Sequence, residues 1–334
     1  MSLSAGDVSI AFYPASTINT ASSRLRCYGL ARECARLGYQ VSELDAANPP
    51  HVLFVQKIVN EHVLAVAAAT KERGGHVFYD IDDYGENALG NLKGDDSTFQ
   101  KFIELVSAVV VDTTVRREVF LKEPGFGTVG EIWVVPDPID YIDTEIPNQT
   151  KVFTNTGAKL RACWFGNGPN IAPAIPYLSG LVIIGAVADV TVFTNAQFMD
   201  FFREKLPLFN SVPWALETFP AMVSAMDFCV LIHDTGLEGV QKSNNKMLAS
   251  LALGVVPFVS RTPAYAETAE EMGIPELVID NPQDLVNRIR PESFYAIAAK
   301  VQSEQCRRYL EKYYPAETAK VFSDKLLAHL NARA

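Results

Sequence analysis

The sequence predicts an α/β fold built from two Rossmann-like domains, and three observations predict it. Short apolar runs typical of buried parallel strands alternate with segments of helical period along the whole chain. The alternation lapses in a polar, turn-rich stretch over residues 143–159, and a second series of the same kind follows. A length of 334 residues suits two domains, and 48% hydrophobic with 20% charged residues is typical of a packed core. We therefore expect an N-terminal domain over residues 1–145 and a C-terminal domain over 146–314.

The first half reads as strands separated by helices. A helix capped by Ser22 or Ser23 follows the first strand and ends before Gly38, and further helical segments cover 60–73 and 99–106. A βαβα rhythm of this kind implies a parallel, doubly wound sheet. The predicted strands of this half cover residues 8–12, 40–44, 52–56, 76–82, 108–113 and 132–140.

The second half repeats the rhythm. One helix begins near Ile171, and another runs from Lys242 to Gly254. The tail from Pro291 is helical, with an interruption near Pro315. The predicted strands of this half cover residues 161–165, 181–186, 189–194, 227–233, 255–260 and 276–280.

Charge and cysteine usage exclude several classes of protein. A net charge of −10 counts against a general nucleic-acid binder, because phosphate contacts need a positive surface. The five cysteines form no C-x-x-C pair, so we expect reduced thiols rather than a disulfide frame or a zinc site. The N-terminus lacks the pattern of a signal peptide, and no apolar stretch approaches a membrane span. We expect a cytoplasmic protein.

Two segments of the first half follow strands, where ligands of open α/β sheets bind. Arg24 and Arg26, after a hydroxyl-rich loop, suit an anion; the alternative is two solvated arginines. Three aspartates lie close together at the end of a strand: Asp80, Asp82 and Asp83. Their like charges raise the pKa of a carboxyl, or the group binds a cation or a substrate hydroxyl. Asp80 and Asp82 also spell a D-x-D, which chelates a metal in some transferases; a helix-capping aspartate is the alternative.

Two segments of the second half occupy the same kind of place. Gly166 and Gly168 flank Asn167 between a strand and a helix, where backbone amides can approach a phosphate; an ordinary strand-to-helix turn is the alternative. Lys242 and Lys246 are spaced to share one face of the first turns of a helix. Two cations there oppose each other and the helix dipole, which favours an anionic ligand over two solvated lysines.

Five motifs in order carry a resemblance to a known family. They are S-R-L-R followed by L-A-x5-L-G-Y-x-V (23–41), Y-D-I-D-D (79–83), V-V-P-D-P-I-D (134–140), W-F-G-N (164–167) and K-S-N-N-K-M-L-A-S-L-A-L-G-V-V-P (242–257). With these motifs the chain resembles the GT-B superfamily of nucleotide-sugar glycosyltransferases. It is most similar to the retaining, group-1-like enzymes that build bacterial surface polysaccharides.

The resemblance implies two Rossmann-like domains facing a cleft, with the donor mainly on the C-terminal domain and the acceptor on the N-terminal one. It also implies that the final helix, residues 315–334, crosses back to the N-terminal domain. Asp82 or Asp83 would face the acceptor. The implied donor-binding residues are Arg24, Gly166, Asn167, Gly168, Trp214, Glu217, Lys242, Ser243, Asn244, Asn245 and Lys246; Trp214 could equally belong to the core.

One position departs from the family pattern. Where the family usually has a glutamate for the ribose or donor sugar, this chain has Ala249, and eight residues earlier Gln241 stands for the partner glutamate. Glu238, in the adjacent loop, is a candidate replacement carboxylate. The departure bears on the identity of the donor and on activity itself.

We therefore expect transfer of a sugar from a nucleotide-diphosphate donor to a saccharide or lipid-linked acceptor, with Asp82, Asp83, Lys242 and Lys246 as candidate catalytic residues. Cations and amides at the leaving diphosphate supply the main stabilisation, so we expect no metal and no cofactor. Three alternatives stay open: metal-dependent transfer through the D-x-D, a sugar-nucleotide epimerase, and a non-catalytic GT-B-like binding protein or partner subunit. Peripheral membrane contact is also left open.

Overall fold

Two parallel β-sheets, one in each half of the chain, organise the computed structural model of the protein. The structure describes residues 3–83, 97–123, 126, 129–140, 151, 153, 159–183 and 188–333. The chain divides into two compact units, the first unit (Met1–Asp140 with Lys312–Ala334) and the second unit (Tyr141–Glu311). Most of the predicted linker, residues 143–159, lies outside the described residues.

The strands of each unit form one sheet, in which every neighbouring pair is parallel. In the first unit they are β1 (Ser9–Tyr13), β2 (Gln40–Ser42), β3 (Val52–Gln56), β4 (His76–Ile81), β5 (Ala108–Val111) and β6 (Ile132–Val134). In the second unit they are β7 (Leu160–Phe165), β8 (Ala188–Thr194), β9 (Asn210–Pro213), β10 (Phe228–Leu231) and β11 (Val256–Val259). The strand orders are β2-β1-β3-β4-β5-β6 and β11-β10-β7-β8-β9.

Helices connect the strands. Those of the first unit before the linker are α1 (Ala21–Ser23), α2 (Leu30–Arg36), α3 (Glu61–Glu72), α4 (Ser97–Leu105) and α5 (Thr114–Phe120). Those of the second unit are α6 (Ile175–Ile183), α7 (Met199–Lys205), α8 (Phe219–Ser224), α9 (Leu237–Val240), α10 (Asn245–Ala252), α11 (Pro263–Glu271), α12 (Pro282–Arg288), α13 (Pro291–Val301) and α14 (Glu304–Glu311). The C-terminal helix α15 (Pro315–Asn331) belongs to the first unit.

Alternate residues of the first sheet pack on its two faces. Leu53 and Val55 of β3 lie in one core, to which α3 and α4 contribute. Phe54 lies in the other core, where Phe322 of α15 meets it edge-on with ring centroids 5.5 Å apart. Helix α15 therefore covers the first sheet, and the first unit is doubly wound, with helices on both faces.

The helix after β1 begins earlier than predicted. Thr20, and not Ser22 or Ser23, is its N-cap residue, and α1 continues through a π-helical segment (Arg24–Gly29) into α2. The Ser23 hydroxyl is buried and donates a hydrogen bond to Oε1 of Gln56 at 2.9 Å, so it does not cap a helix. The end was predicted correctly, since Gly38 adopts a φ of +100° just after the helix.

Several strands were predicted wrongly or too long, because their sequences differ little in apolar character from the neighbouring segments. The apolar run at 181–186 begins inside helix α6, and its residues 184–186 lie outside the described residues. The more polar β9 was missed. Strand β6 ends at Val134, because Pro136 and Pro138 cannot donate the hydrogen bonds of a longer ladder. Residues 276–280 form a 3₁₀ turn (Pro275–Leu277) and a single bridge from Val278 to Val259.

The predicted fold class is nevertheless confirmed: the chain is α/β, with two Rossmann-like units. The five cysteines, which the sequence predicted to be reduced thiols, are free, and all five are buried. No helix within the described residues is long and apolar enough to cross a membrane.

Candidate functional site

The second sheet has a topological switch point between β7 and β10. The chain adds β8 and β9 on one side of β7, and then adds β10 and β11 on the other. The connections leaving β7 and β10 therefore diverge, and ligands of open α/β sheets bind outside the carboxyl ends of such strands. Gly166 follows β7, and His233 lies two residues after β10. This position defines the candidate site of the second unit.

Gly166 makes room for a lysine at the switch point. A Cβ atom at this position would lie 2.8 Å from Nζ of Lys246 and 3.1 Å from the Trp164 ring. Its φ of +157° also favours glycine. The Gly166 N–H donates to the carbonyl of Phe193 at 3.1 Å, so this amide is already used within the unit. Glycine here admits the Lys246 ammonium, whereas the sequence suggested that it admits a phosphate.

Gly168 is required for packing. A Cβ there would lie 2.5 Å from Cγ of Phe198, and the residue is buried at the start of a 3₁₀ helix (Gly168–Ala174). Asn167, between the two glycines, is exposed, and its carbonyl accepts a hydrogen bond from the Asn170 N–H at 2.9 Å.

Replacing Gly168 with alanine is therefore expected to lower the free energy of unfolding by about 1–3 kcal/mol, because the new methyl overlaps the Phe198 ring. Gly180→Ala in α6 is the matched control, since its Cβ would meet nothing nearer than Pro282 at 4.0 Å. Alanine should be neutral or stabilising in that helix. Urea unfolding of both variants checks the difference, and equal stabilities would contradict the packing role.

Lys242 and Lys246 lie near each other but not on one helix. Helix α9 stops at Val240, and α10 begins at Asn245 with Asn244 as its N-cap residue. Lys242 lies in the turn between these helices and pairs with Glu238 of α9 at 3.0 Å. The prediction of a shared helix face was therefore wrong, because α10 begins at Asn245 and leaves Lys242 outside the helix.

Lys246 lies in the first turn of α10, half-buried against aromatic rings. Its Nζ is 5.6 Å from the centroid of the Trp164 ring and 6.0 Å from that of Phe165. Burial, followed by the positive charge of Lys242, lowers the pKa of Lys246 to about 8. Among the described residues, no carboxylate lies within 4.0 Å of this ammonium. A cation in such surroundings favours an anionic ligand.

His233 is a residue of the site that sequence reasoning missed. Its ring stacks on Tyr265 with centroids 5.3 Å apart, and its Nε2 lies 3.0 Å from the tyrosine hydroxyl. Burial, and then the charges of Lys246 and Lys242, lower the pKa of His233 to about 3. The imidazole is therefore neutral near pH 7. The only sequence signal was its place at the end of an apolar run.

The remaining residues predicted to bind the donor have different surroundings. The buried Asn244 side chain donates to Oγ1 of Thr268 at 2.8 Å, while Ser243 and Asn245 are half-buried beside it in sequence. Trp214, just after β9, is half-buried with its ring centroid 6.2 Å from that of Phe219. Glu217 is exposed.

The departure from the family pattern lies in the interior of the second unit. Ala249 of α10 is 1% exposed, and Gln241 is fully buried with its Nε2 donating to the carbonyl of Leu237 at 2.7 Å. Glu238, the candidate replacement, is largely exposed and pairs with Lys242. Neither family position therefore carries an acid, and the nearby acid balances a lysine.

Arg26 is part of the interior of the first unit. Its guanidinium, 4% exposed, pairs with Asp80 at 2.6 Å and with Asp137 at 2.8 Å. Burial raises the pKa of Asp80, and Arg26 opposes that rise. Both carboxylate oxygens of Asp80 accept hydrogen bonds from Arg26. The interpretation of Arg26 as an anion ligand was therefore wrong. In the D-x-D alternative Asp80 would be the first metal ligand, but its carboxylate is paired with Arg26.

The other predicted residues of the first unit also form ion pairs. Arg24 pairs with Asp140 at 2.6 Å. Asp82 and Asp83, just after β4, each lie 2.6 Å from Nζ of Lys57. The structure thus brings Gly166, Lys242 and Lys246 together in the second unit, and it places Arg24, Asp82 and Asp83 in the first. Within the described residues, no group of three or more His, Cys, Asp or Glu side chains is arranged to hold a metal ion.

Solved structures share this architecture. HepE of Anabaena, in complex with UDP and glucose, matches with a TM-score of 0.64 at 12% identity, over 96% of this chain and 100% of HepE. A glycosyltransferase from Rickettsia africae ESF-5 matches with a TM-score of 0.63 at 11% identity, over 96% of this chain and 98% of its own.

TarM matches with a TM-score of 0.57 at 14% identity over 84% of this chain, which spans only 54% of TarM. No protein-family model matches the sequence, and no curated protein matches it. TarM and HepE are GT-B glycosyltransferases, and the protein therefore has the GT-B fold.

Proposed function

We propose that the protein is a glycosyltransferase that moves a sugar from a nucleotide-diphosphate donor to a saccharide or lipid-linked acceptor without a metal ion. We further propose, following the family resemblance, that it acts in the cytoplasm on polysaccharide precursors. The observation that carries the proposal is the Lys246 ammonium, which lies at the switch point of the second sheet beside Gly166 and has no carboxylate partner among the described residues.

The proposed role of Lys246 follows from the charge that develops in the reaction. As the bond between sugar and diphosphate breaks, the leaving diphosphate gains negative charge. A fixed cation in partly desolvated surroundings stabilises that charge better than water does, since it needs no reorganisation. Lys242 adds a second positive charge, and Trp164 and Phe165 limit solvation of the first.

Metal independence is proposed because protein cations occupy the places that a metal would need. The Arg26 guanidinium forms an ion pair with the Asp80 carboxylate, and the Lys57 ammonium forms one with Asp82. Asp82 and Asp83 are proposed to face the acceptor on the first unit, and the donor is proposed to bind mainly the second. HepE structures with UDP and with UDP-glucose make UDP the first nucleotide, and UDP-glucose the first donor, to test.

Calorimetry and turnover with a panel of nucleotide sugars test the proposal. UDP or UDP-sugars, or another nucleotide diphosphate of the panel, should bind and raise the melting temperature, because a ligand of the native state stabilises it by mass action. Saccharide or lipid-linked acceptors should then stimulate release of the nucleotide, with the same rate in EDTA. Absence of binding across the panel would contradict the proposal, and a requirement for Mn²⁺ would contradict its metal-independent form.

A second candidate function is supported by the interior of α10. Ala249 is a buried methyl where the family has a glutamate, so the second candidate function is to bind a nucleotide sugar without transferring it. This alternative, a non-catalytic GT-B-like binding protein or partner subunit, predicts the same binding isotherms but no nucleotide release with any acceptor. Donor isomerisation without an acceptor would instead indicate an epimerase.

A further inference from the structure

Lys57 occupies the switch point of the first sheet. The chain adds β2 on one side of β1 and then β3 on the other, so the connections after β1 and β3 diverge. Lys57 is the first residue after β3. It has a φ of +55°, and within the described part of the chain no other residue besides glycine has a positive φ.

The left-handed backbone of Lys57 is held by β4. The Lys57 N–H donates to the carbonyl of Asp80 at 3.1 Å, and the Lys57 carbonyl accepts from the hydroxyl of Tyr79 at 2.8 Å. Backbone strain of this kind persists only where surrounding contacts enforce it, and it concentrates at functional sites. Sterics alone would favour glycine at this position, so a lysine here points to a use for its side chain.

The side chain bridges two consecutive aspartates. Nζ of Lys57 lies 2.6 Å from Oδ1 of Asp82, 2.6 Å from Oδ2 of Asp83 and 3.2 Å from Oγ of Ser22. These three partners match the three N–H donors of an ammonium. The side-chain exposure is 10% for Asp82 and 49% for Asp83, so the bridge joins a nearly buried carboxylate to a half-exposed one.

The three charges depend on one another. Burial raises the pKa of Asp82, Lys57 opposes that rise, and Asp83 adds to it. Asp82 and Asp83 in turn raise the pKa of Lys57 against its own burial. Without the ammonium, two adjacent carboxylates would face each other with Asp82 nearly buried, and one of them would take up a proton.

We propose that Lys57 is a positioning residue for the acceptor: its ammonium holds Asp82 and Asp83 side by side as carboxylates, so that Asp83 accepts a hydrogen bond from an uncharged acceptor hydroxyl. The inference rests on the proposed function, because it assigns the acceptor to this pair. With Lys57 already bridging two carboxylates, the pair suits a hydroxyl donor and repels a phosphate group of the acceptor.

The test compares Lys57→Met with Lys57→Arg. The methionine variant should lose about tenfold to a hundredfold in kcat/KM for the acceptor, since a misplaced group costs that much. It should keep the affinity of the wild type for UDP, which reports that the protein is folded. The deficit of the methionine variant in kcat/KM should become smaller as the pH rises, because Asp82 then ionises. Purely structural damage would not show this recovery. Arginine, which keeps the charge, should restore most of the activity.

Lys71→Met is the matched control, because Lys71 of α3 is another half-buried lysine of the first unit, which hydrogen-bonds Ser107. The Asp82 carboxyl carbon, followed by NMR, should titrate at higher pH in Lys57→Met than in the wild type. An unchanged titration, or unchanged acceptor kinetics despite a changed titration, would overturn the inference. A wild type that binds UDP and transfers to no acceptor would overturn the proposed function instead, and the titration would still test the bridge.

Discussion

Replacing Lys246 with methionine is expected to weaken binding of the nucleotide-diphosphate donor by about tenfold to a hundredfold, the usual value of a hydrogen bond between charged groups. Methionine keeps the length and apolar contacts of the side chain against Trp164, so the loss isolates the charge. Turnover should fall further, by about a hundredfold, because the leaving diphosphate is more negative in the transition state than in the ground state.

Calorimetry and nucleotide release measure the two effects. Lys205→Met is the matched control: Lys205 is an exposed lysine of the second unit at the C-terminal end of α7, which returns toward the amino ends of the strands. It should bind and turn over the donor as the wild type does. Equal losses in the two variants would indicate a general effect of net charge, and no loss in Lys246→Met would remove Lys246 from the site.

The same residue predicts the pH dependence of donor binding. The pKa of Lys246 is lowered to about 8, so the ammonium is present below that pH and is lost as the pH rises through it. If only the ammonium binds the diphosphate, affinity should fall about tenfold between pH 7 and pH 9. Lys246→Met should show a flat profile over this interval. A wild-type profile that is flat up to pH 9 would contradict the lowered pKa.

Replacing Arg26 with methionine is expected to lower the free energy of unfolding by about 3–5 kcal/mol, the cost of removing one partner of a buried ion pair. The change leaves Asp80, which is fully buried, and Asp137 without their shared cation. Because burial raises the pKa of Asp80 above that of the unfolded chain, and loss of Arg26 raises it further, protonation should relieve the variant at low pH. The destabilisation should therefore be larger at pH 7 than at pH 5.

Urea unfolding at the two pH values checks this result. Arg203→Met is the matched control, since Arg203 of α7 is exposed and pairs with the fully exposed Asp200 of the same helix at 3.2 Å. Exposed pairs of this kind contribute at most about 1 kcal/mol. A loss in Arg26→Met no larger than in Arg203→Met would show that Asp80 is not a buried ionised carboxylate.

The fold could be predicted from the sequence wherever a strand is short, apolar and bounded by polar residues. The run at 181–186 shows the limit: a short, wholly apolar sequence carries no periodicity, so residues 181–183, the last turn of α6, resemble the start of a strand. Strand β9 shows the opposite case, because an edge strand with the sequence Asn-Ser-Val-Pro carries too little apolar character to stand out.

The candidate site could be predicted only as far as local sequence determines it. Lys242 and Lys246 were found by their spacing, but the break between α9 and α10 is set by contacts such as that of Asn244 with Thr268, which are distant in sequence. Arg26 could not be distinguished from Arg24, because its partners Asp80 and Asp137 come from other strands. No sequence motif marks His233 or Lys57 as part of a site, since their positions at the switch points depend on the order of the strands in each sheet.

The most direct test of the account is a crystal structure of the protein bound to UDP. The diphosphate should lie at the switch point between β7 and β10, with a phosphate oxygen about 3 Å from Nζ of Lys246. A diphosphate bound elsewhere, with Lys246 making no contact to it, would contradict the proposed role of Lys246.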